Sequence, residues 1–157
     1  MLIGRILLSR YKIIENLGTG GFGETYLAVD MALPGNPQCV VKKPHKNNPN
    51  PKVLEITQRL FKTEAEALSQ LGEHDQIPHL SAYFEEDDEF YLVQEFVKEH
   101  DLTKEIIPNQ PLDETSTIQL LQEILEILNY VHSNNIIHRD IKPSNIMQCV
   151  ASKIICS

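Results

Sequence analysis

The stretch His138-Arg139-Asp140-Ile141-Lys142-Pro143-Ser144-Asn145 decides how this chain of 157 residues is read. It sets a carboxylate, a cation two places on and a carboxamide three places further, behind a histidine and an arginine. Just upstream, Ile118, Leu121, Leu125 and Leu128 recur at steps of three and four, which predicts a long helix over 113–132. Asp113 is a suitable N-cap, and Asn134 or Asn135 can end the helix in a left-handed conformation. Before it, strands are expected at 80–84 and 90–96. The acidic run 85–89 joins them and reads as a solvated turn rather than a metal site. A first helix is expected over 52–71, with Leu60, Phe61, Glu64, Leu68 and Leu71 on one face and Gly72 as its stop. Three more strands are expected at 11–17, 24–30 and 38–43, with loops at 31–37 and 44–51. Strands, helix, strands, helix is an α+β order: a mostly antiparallel unit followed by a helical one.

The turn between the first two of these strands is Gly18-Thr19-Gly20-Gly21-Phe22-Gly23. Without Cβ atoms its backbone can approach phosphate oxygens and point N–H groups at them. Its place between two strands, not between a strand and a helix, argues against a dinucleotide-binding fold. Cys39-Val40-Val41-Lys42 lies on the third strand, and alternation puts Val40 and Lys42 on one face while Lys43 leaves by the other. Glu64, in the middle of the first helix, can hold Lys42 by opposite charge at short range. Glu66 points a quarter-turn or more away from it.

Together these residues resemble the serine/threonine protein kinases of eukaryotic type found in bacteria, especially cyanobacteria, over Tyr11 to about Met147. The last stretch matches H-R-D-x-K-P-x-x-N, and 39–42 resembles the V-A-I-K strand. The resemblance implies a two-lobed α+β fold. Residues 1–96 would be an N-terminal lobe of five antiparallel strands plus a helix, and 97–157 an incomplete helical C-terminal lobe with the hinge, helices D and E and the catalytic loop. It implies transfer of the γ-phosphoryl group of ATP, with Mg2+, to Ser/Thr of a protein substrate. Asp140 would accept or orient the proton of the substrate hydroxyl, Lys142 would neutralise charge on the phosphoryl group, and Asn145 would hold magnesium. Lys42, paired with Glu64, would hold the α- and β-phosphates, beneath the 18–23 turn. Leu17, Thr25 and Val40 would line the adenine slot, Gln94 would be its gatekeeper, Glu95 to Val97 its hinge, and Asp101 would lie near the ribose.

Thr25 stands where the family usually has valine, and Val40 where it has alanine; both reshape the adenine slot without abolishing it. No D-F-G and no A-P-E occur in the 157 residues, so the chain is expected to be inactive alone. It is also expected to leave Leu121, Leu125 and Leu128 uncovered and to be poorly soluble or partly molten. A non-catalytic ATP- or partner-binding fragment and a gene remnant are the other readings. The complete H-R-D-x-K-P-x-x-N string counts against a small-molecule phosphotransferase.

Composition sets bounds on partners. A formal charge of −8 argues against a nucleic-acid partner and against a basic membrane anchor. Apolar runs are too short for a signal core or a membrane segment. Cys39, Cys149 and Cys156 match no zinc spacing and make no disulfide framework, so a cytoplasmic location is the simplest reading. His45, His74, His79, His100 and His132 show no ligand spacing and read as surface or packing histidines.

Overall fold

The computed structural model describes residues 2–20, 23–45, 50–98, 100–104, 106–107, 110–149 and 153–156. They form two compact units, one of Met1–Ser69 with His79–Phe96, the other of Gln70–Pro78 with Val97–Ser157.

The first unit is built on an antiparallel sheet of strands β1 (Ile6–Leu7), β2 (Tyr11–Thr19), β3 (Gly23–Asp30), β4 (Gln38–Pro44), β5 (Leu80–Glu86) and β6 (Glu89–Glu95). Their order across the sheet is β1-β2-β3-β4-β6-β5. Five of the six are the expected strands. The sixth is the two-residue edge strand β1, which pairs Ile6 with Lys12 and Leu7 with Tyr11. The turn between β5 and β6 runs through Asp87 and Asp88, both at positive φ (53° and 59°), as a two-residue hairpin of matching twist requires. Arg5 reaches Asp87 from the N-terminal segment.

Period-two alternation sorts the sheet into two faces. Tyr11, Ile13, Tyr26, Ala28, Cys39, Val41, Tyr91 and Val93 occupy one, and Leu2 and Leu7 of the N-terminal segment close over it to complete the core. The opposite face carries Thr25, Leu27, Val40, Lys42, Leu92 and Gln94, as the pairings Thr25 with Lys42, Leu27 with Val40, Lys42 with Leu92 and Val40 with Gln94 require. At the end of the β2–β3 hairpin away from its turn, Arg10 donates to both carboxylate oxygens of buried Asp30, at 2.8 and 2.6 Å. A forked pair of this kind fixes geometry as well as charge.

Helix α1 (Pro51–Leu71) lies on the Lys42 side of the sheet, where Phe61 meets Tyr83 at 6.1 Å between ring centroids. It buries Thr57, Ala65 and Leu71. Leu60, expected on the inward face, is 48% exposed. At 100° per residue it sits more than a quarter-turn from the Thr57–Ala65 direction that packs. Gly72 ends the helix at φ +64°, a conformation that costs glycine little.

The second unit contains α2 (Glu114–Ser133), capped by Asp113, whose carboxylate accepts the Ser116 N–H at 3.0 Å. Asn135 follows it at φ +59°. Ile127 and Val131 are buried, whereas Ile118, Leu121 and Leu125 are about half exposed. Tyr130 donates to the Leu71 carbonyl at 2.6 Å and its ring meets His74, which ties the segment after α1 to this helix. A small antiparallel sheet of β7 (His100–Asp101), β8 (Ile146–Cys149) and β9 (Lys153–Cys156) flanks the 138–145 stretch. Where helix D is expected, the described residues form a 3-10 turn, Leu102–Lys104.

Candidate active site

In the first unit two features converge on the Lys42 face. Nζ of Lys42 lies 2.8 Å from Oε1 of Glu64, joining β4 to α1. Lys43, one residue on, leaves by the other face and pairs with Glu89 at 2.8 Å and Glu24 at 4.0 Å. Alternation alone separates these two lysines, since each strand residue reverses the side-chain direction. Thr25 lies directly across the strands from Lys42, and buried Val40 lies across from Leu27 and from buried Gln94.

The second feature is the glycine-rich turn. Gly18 and Thr19 still belong to the β2–β3 ladder, paired with Thr25 and Glu24. Gly20 closes the turn by donating its N–H to the Gly23 carbonyl at 2.8 Å. Gly21 and Phe22, also expected to bind nucleotide, lie outside the described residues. Gly23 has a strict reason to be glycine: a Cβ there would lie 2.3 Å from the Lys43 carbonyl oxygen. At Gly18 and Gly20 a Cβ would meet open space among the described residues. Leu17, just before the turn, is 44% exposed.

A contact that the sequence reading missed also belongs here. Nε2 of His45 lies 2.8 Å from the Gly20 carbonyl oxygen. Nothing in the spacing of histidines announces it, because it depends on the register of β3 against β4.

In the second unit the 138–145 stretch folds on itself. Oδ2 of Asp140 receives Nζ of Lys142 at 2.8 Å and Nδ2 of Asn145 at 2.9 Å, and the Asp140 carbonyl takes the same Asn145 amide at 3.0 Å. The Lys142 ammonium first, and the Asn145 amide after it, hold the Asp140 carboxyl below the usual carboxylate range, so it is ionised at neutral pH. Arg139 stands at φ +64°, an uncommon conformation for a residue with a Cβ, and this bend turns Asp140 toward Asn145. Pro143 opens the 3-10 turn Pro143–Asn145 that brings the asparagine back.

Asp101 is engaged locally: its Oδ1 accepts the Thr103 N–H at 2.9 Å and the Thr103 hydroxyl. Glu95 and Val97 flank the last residue of the first unit; Glu95 is exposed and its N–H donates to the His79 carbonyl at 2.9 Å. The structure thus groups Lys42 with Glu64 and Thr25, and separately Asp140 with Lys142 and Asn145.

A magnesium ion fits Asn145 in kind. Its amide nitrogen serves Asp140, which leaves the amide oxygen as a hard, neutral donor of the type this ion takes. Among the described residues no three His, Cys, Asp or Glu side chains gather as a metal site, so protein groups here would supply only part of its shell. No helix among the described residues is long and apolar enough to cross a membrane.

Comparisons with known proteins bear on the family and the fold. The model of the protein kinase domain matches residues 11–155. Serine/threonine-protein kinase B of Synechocystis sp. is 49% identical over 142 residues, which are 90% of this chain and 25% of that protein. Serine/threonine-protein kinase PknA of Nostoc sp. is 44% identical, over 91% of this chain and 26% of that one. PrkC of Bacillus subtilis is 34% identical, over 94% and 22%. The chain thus spans about a quarter of the length of the curated relatives it matches. A solved structure titled "PpkA-294 apo form" superposes with a TM-score of 0.83 at 23% identity, over 99% of this chain and 60% of that chain, a likeness of fold.

Proposed function

We propose, from the premise that the chain belongs to the protein kinase domain family, that the full-length protein to which these residues belong transfers the γ-phosphoryl group of ATP to serine or threonine hydroxyls of other proteins, an activity the 157 residues alone are not expected to show. The observation that carries the proposal is the Asp140 carboxylate held at 2.8 Å by Lys142. In this reading the hydroxyl oxygen forms a bond to the γ-phosphorus while the bond from that phosphorus to the β–γ bridging oxygen breaks, and ADP departs. The hydroxyl proton passes to Asp140. Its lowered pKa makes it a weak base, so its main work is to orient the hydroxyl, with proton transfer late. Lys142 offsets negative charge on the phosphoryl oxygens as the bond changes hands.

Lys42 would hold the α- and β-phosphates, kept in place by Glu64, beneath the glycine-rich turn. Leu17, Thr25 and Val40 would contact adenine, Glu95 and Val97 would offer backbone groups to it, and Asp101 would meet the ribose through the oxygen that Thr103 does not use. Magnesium, bound through Asn145, would neutralise phosphate charge.

The test uses the full-length protein with radiolabelled ATP and a protein substrate rich in serine and threonine. Phosphoserine or phosphothreonine should form and should fall at least about a hundredfold in Asp140→Asn, as expected for loss of a group that positions the nucleophile. Label appearing at the same rate in that variant would refute the assignment.

A further inference from the structure

His45 has no part in the chemistry proposed above, yet it reaches the turn on which that chemistry depends. Its Nε2 lies 2.8 Å from the Gly20 carbonyl oxygen. A carbonyl only accepts, so the ring nitrogen is the donor, a role open to the Nε2–H tautomer and to the imidazolium alike.

The β3–β4 ladder stops short of the turn. Pairing of β3 with β4 runs out at Gly23 and Pro44, and proline has no N–H to offer. The next residue is His45, and its side chain reaches the turn. A Cβ at Gly20 would meet open space among the described residues. Among the described residues two hydrogen bonds constrain it: its N–H to Gly23 and its carbonyl from His45. His45 also lines a shallow cleft with Pro44, Leu54, Gln58, Asp88, Glu89 and Phe90.

We propose that His45 is a positioning residue that latches the Gly20 carbonyl, so that the entry to the glycine-rich turn is already in place when ATP phosphates arrive. The proposal rests on the phosphoryl-transfer reading above. Glycine-rich backbone is the most costly to order, so a latch that orders it in advance strengthens binding without touching the ligand.

The experiment compares full-length parent, His45→Ala and His45→Gln, whose terminal amide also donates. Hydrogen–deuterium exchange is measured in peptides covering residues 17–24 without nucleotide, and ATP affinity by titration with magnesium present. In His45→Ala the turn should exchange about threefold to tenfold faster and ATP should bind more weakly by a similar factor, the weight of one hydrogen bond. His45→Gln should stay within about twofold of the parent. Unchanged exchange in His45→Ala, or equal acceleration in both variants, overturns the latch. A parent that binds no ATP, with the exchange pattern as expected, leaves the latch standing and removes the phosphoryl-transfer reading instead.

Discussion

Nζ of Lys42 on β4 and Oε1 of Glu64 on α1 meet at 2.8 Å, where the lysine side chain is 24% exposed and the glutamate 41%. The partial exposure decides what the pair is for. Ion pairs in contact with water add about 0–1 kcal/mol to stability, which α1 does not need while it buries Thr57, Ala65 and Leu71.

Glu64→Gln is therefore expected to leave the thermal midpoint within about 3 °C of the parent while phosphoryl transfer falls at least tenfold. Calorimetry and a transfer assay on the same preparation would decide. A large drop in the midpoint, with activity lost in proportion, would make the pair structural rather than functional.

Gly23 and Gly18 stand at opposite ends of the same turn and should respond differently to alanine. At Gly23 the new methyl would sit 2.3 Å from the Lys43 carbonyl oxygen, and relief requires a shift of backbone. A cost of about 1–3 kcal/mol is expected, with weakened ATP binding. Gly18→Ala meets open space and should cost less than about 1 kcal/mol. Urea unfolding of both variants provides the comparison, and equal costs would refute the steric account.

Alkaline stability should depend on Cys39. Burial first, and nearby Asp30 second, push its thiol from the ordinary 9.0 up to about 11. The unfolded chain thus releases the thiol proton at lower pH than the folded one. Stability from this group is whole below pH 9 and is lost as pH rises from 9 to 11, by about 2 kcal/mol at the upper end. Burial pushes the hydroxyls of Tyr11, Tyr26 and Tyr91 the same way. Unfolding followed from pH 8 to 11 should show a steeper fall in the parent than in Cys39→Ala; parallel curves would rule the thiol out.

Much of this was legible in the residues. The two-residue period separates Lys42 from Lys43, and the three-and-four spacing of the first helix places Glu64 toward the strand. Spacing also locates the Asp113 cap and the Gly72 stop. What escaped needs three dimensions. Strand β1 has two residues and so no period to read. The spacing puts Leu60 inward because steps of three and four fit several phases of one helix, and only packing picks the phase. The His45 bond to Gly20 spans 25 positions and follows from where Pro44 ends a ladder. The turn of Arg139 to positive φ carries no sequence sign, since arginine is not a residue that favours it.

Helix α2 offers the sharpest test of packing, because its apolar residues divide between two environments. Ile127 is 1% exposed, whereas Leu121 and Leu125 are each 54% exposed. Truncating Ile127 to alanine removes buried methyl groups and leaves a cavity, which should cost about 3 kcal/mol and lower the thermal midpoint by about 6–12 °C. Changing Leu121 and Leu125 together to glutamine removes little buried area in the 157-residue chain. The midpoint should stay within about 3 °C while binding of an apolar dye and aggregation both decline. If the double glutamine variant unfolds as readily as Ile127→Ala, those leucines are covered in solution, either by a second copy of the chain or by residues outside the described ones, and sedimentation at several concentrations tells the two apart.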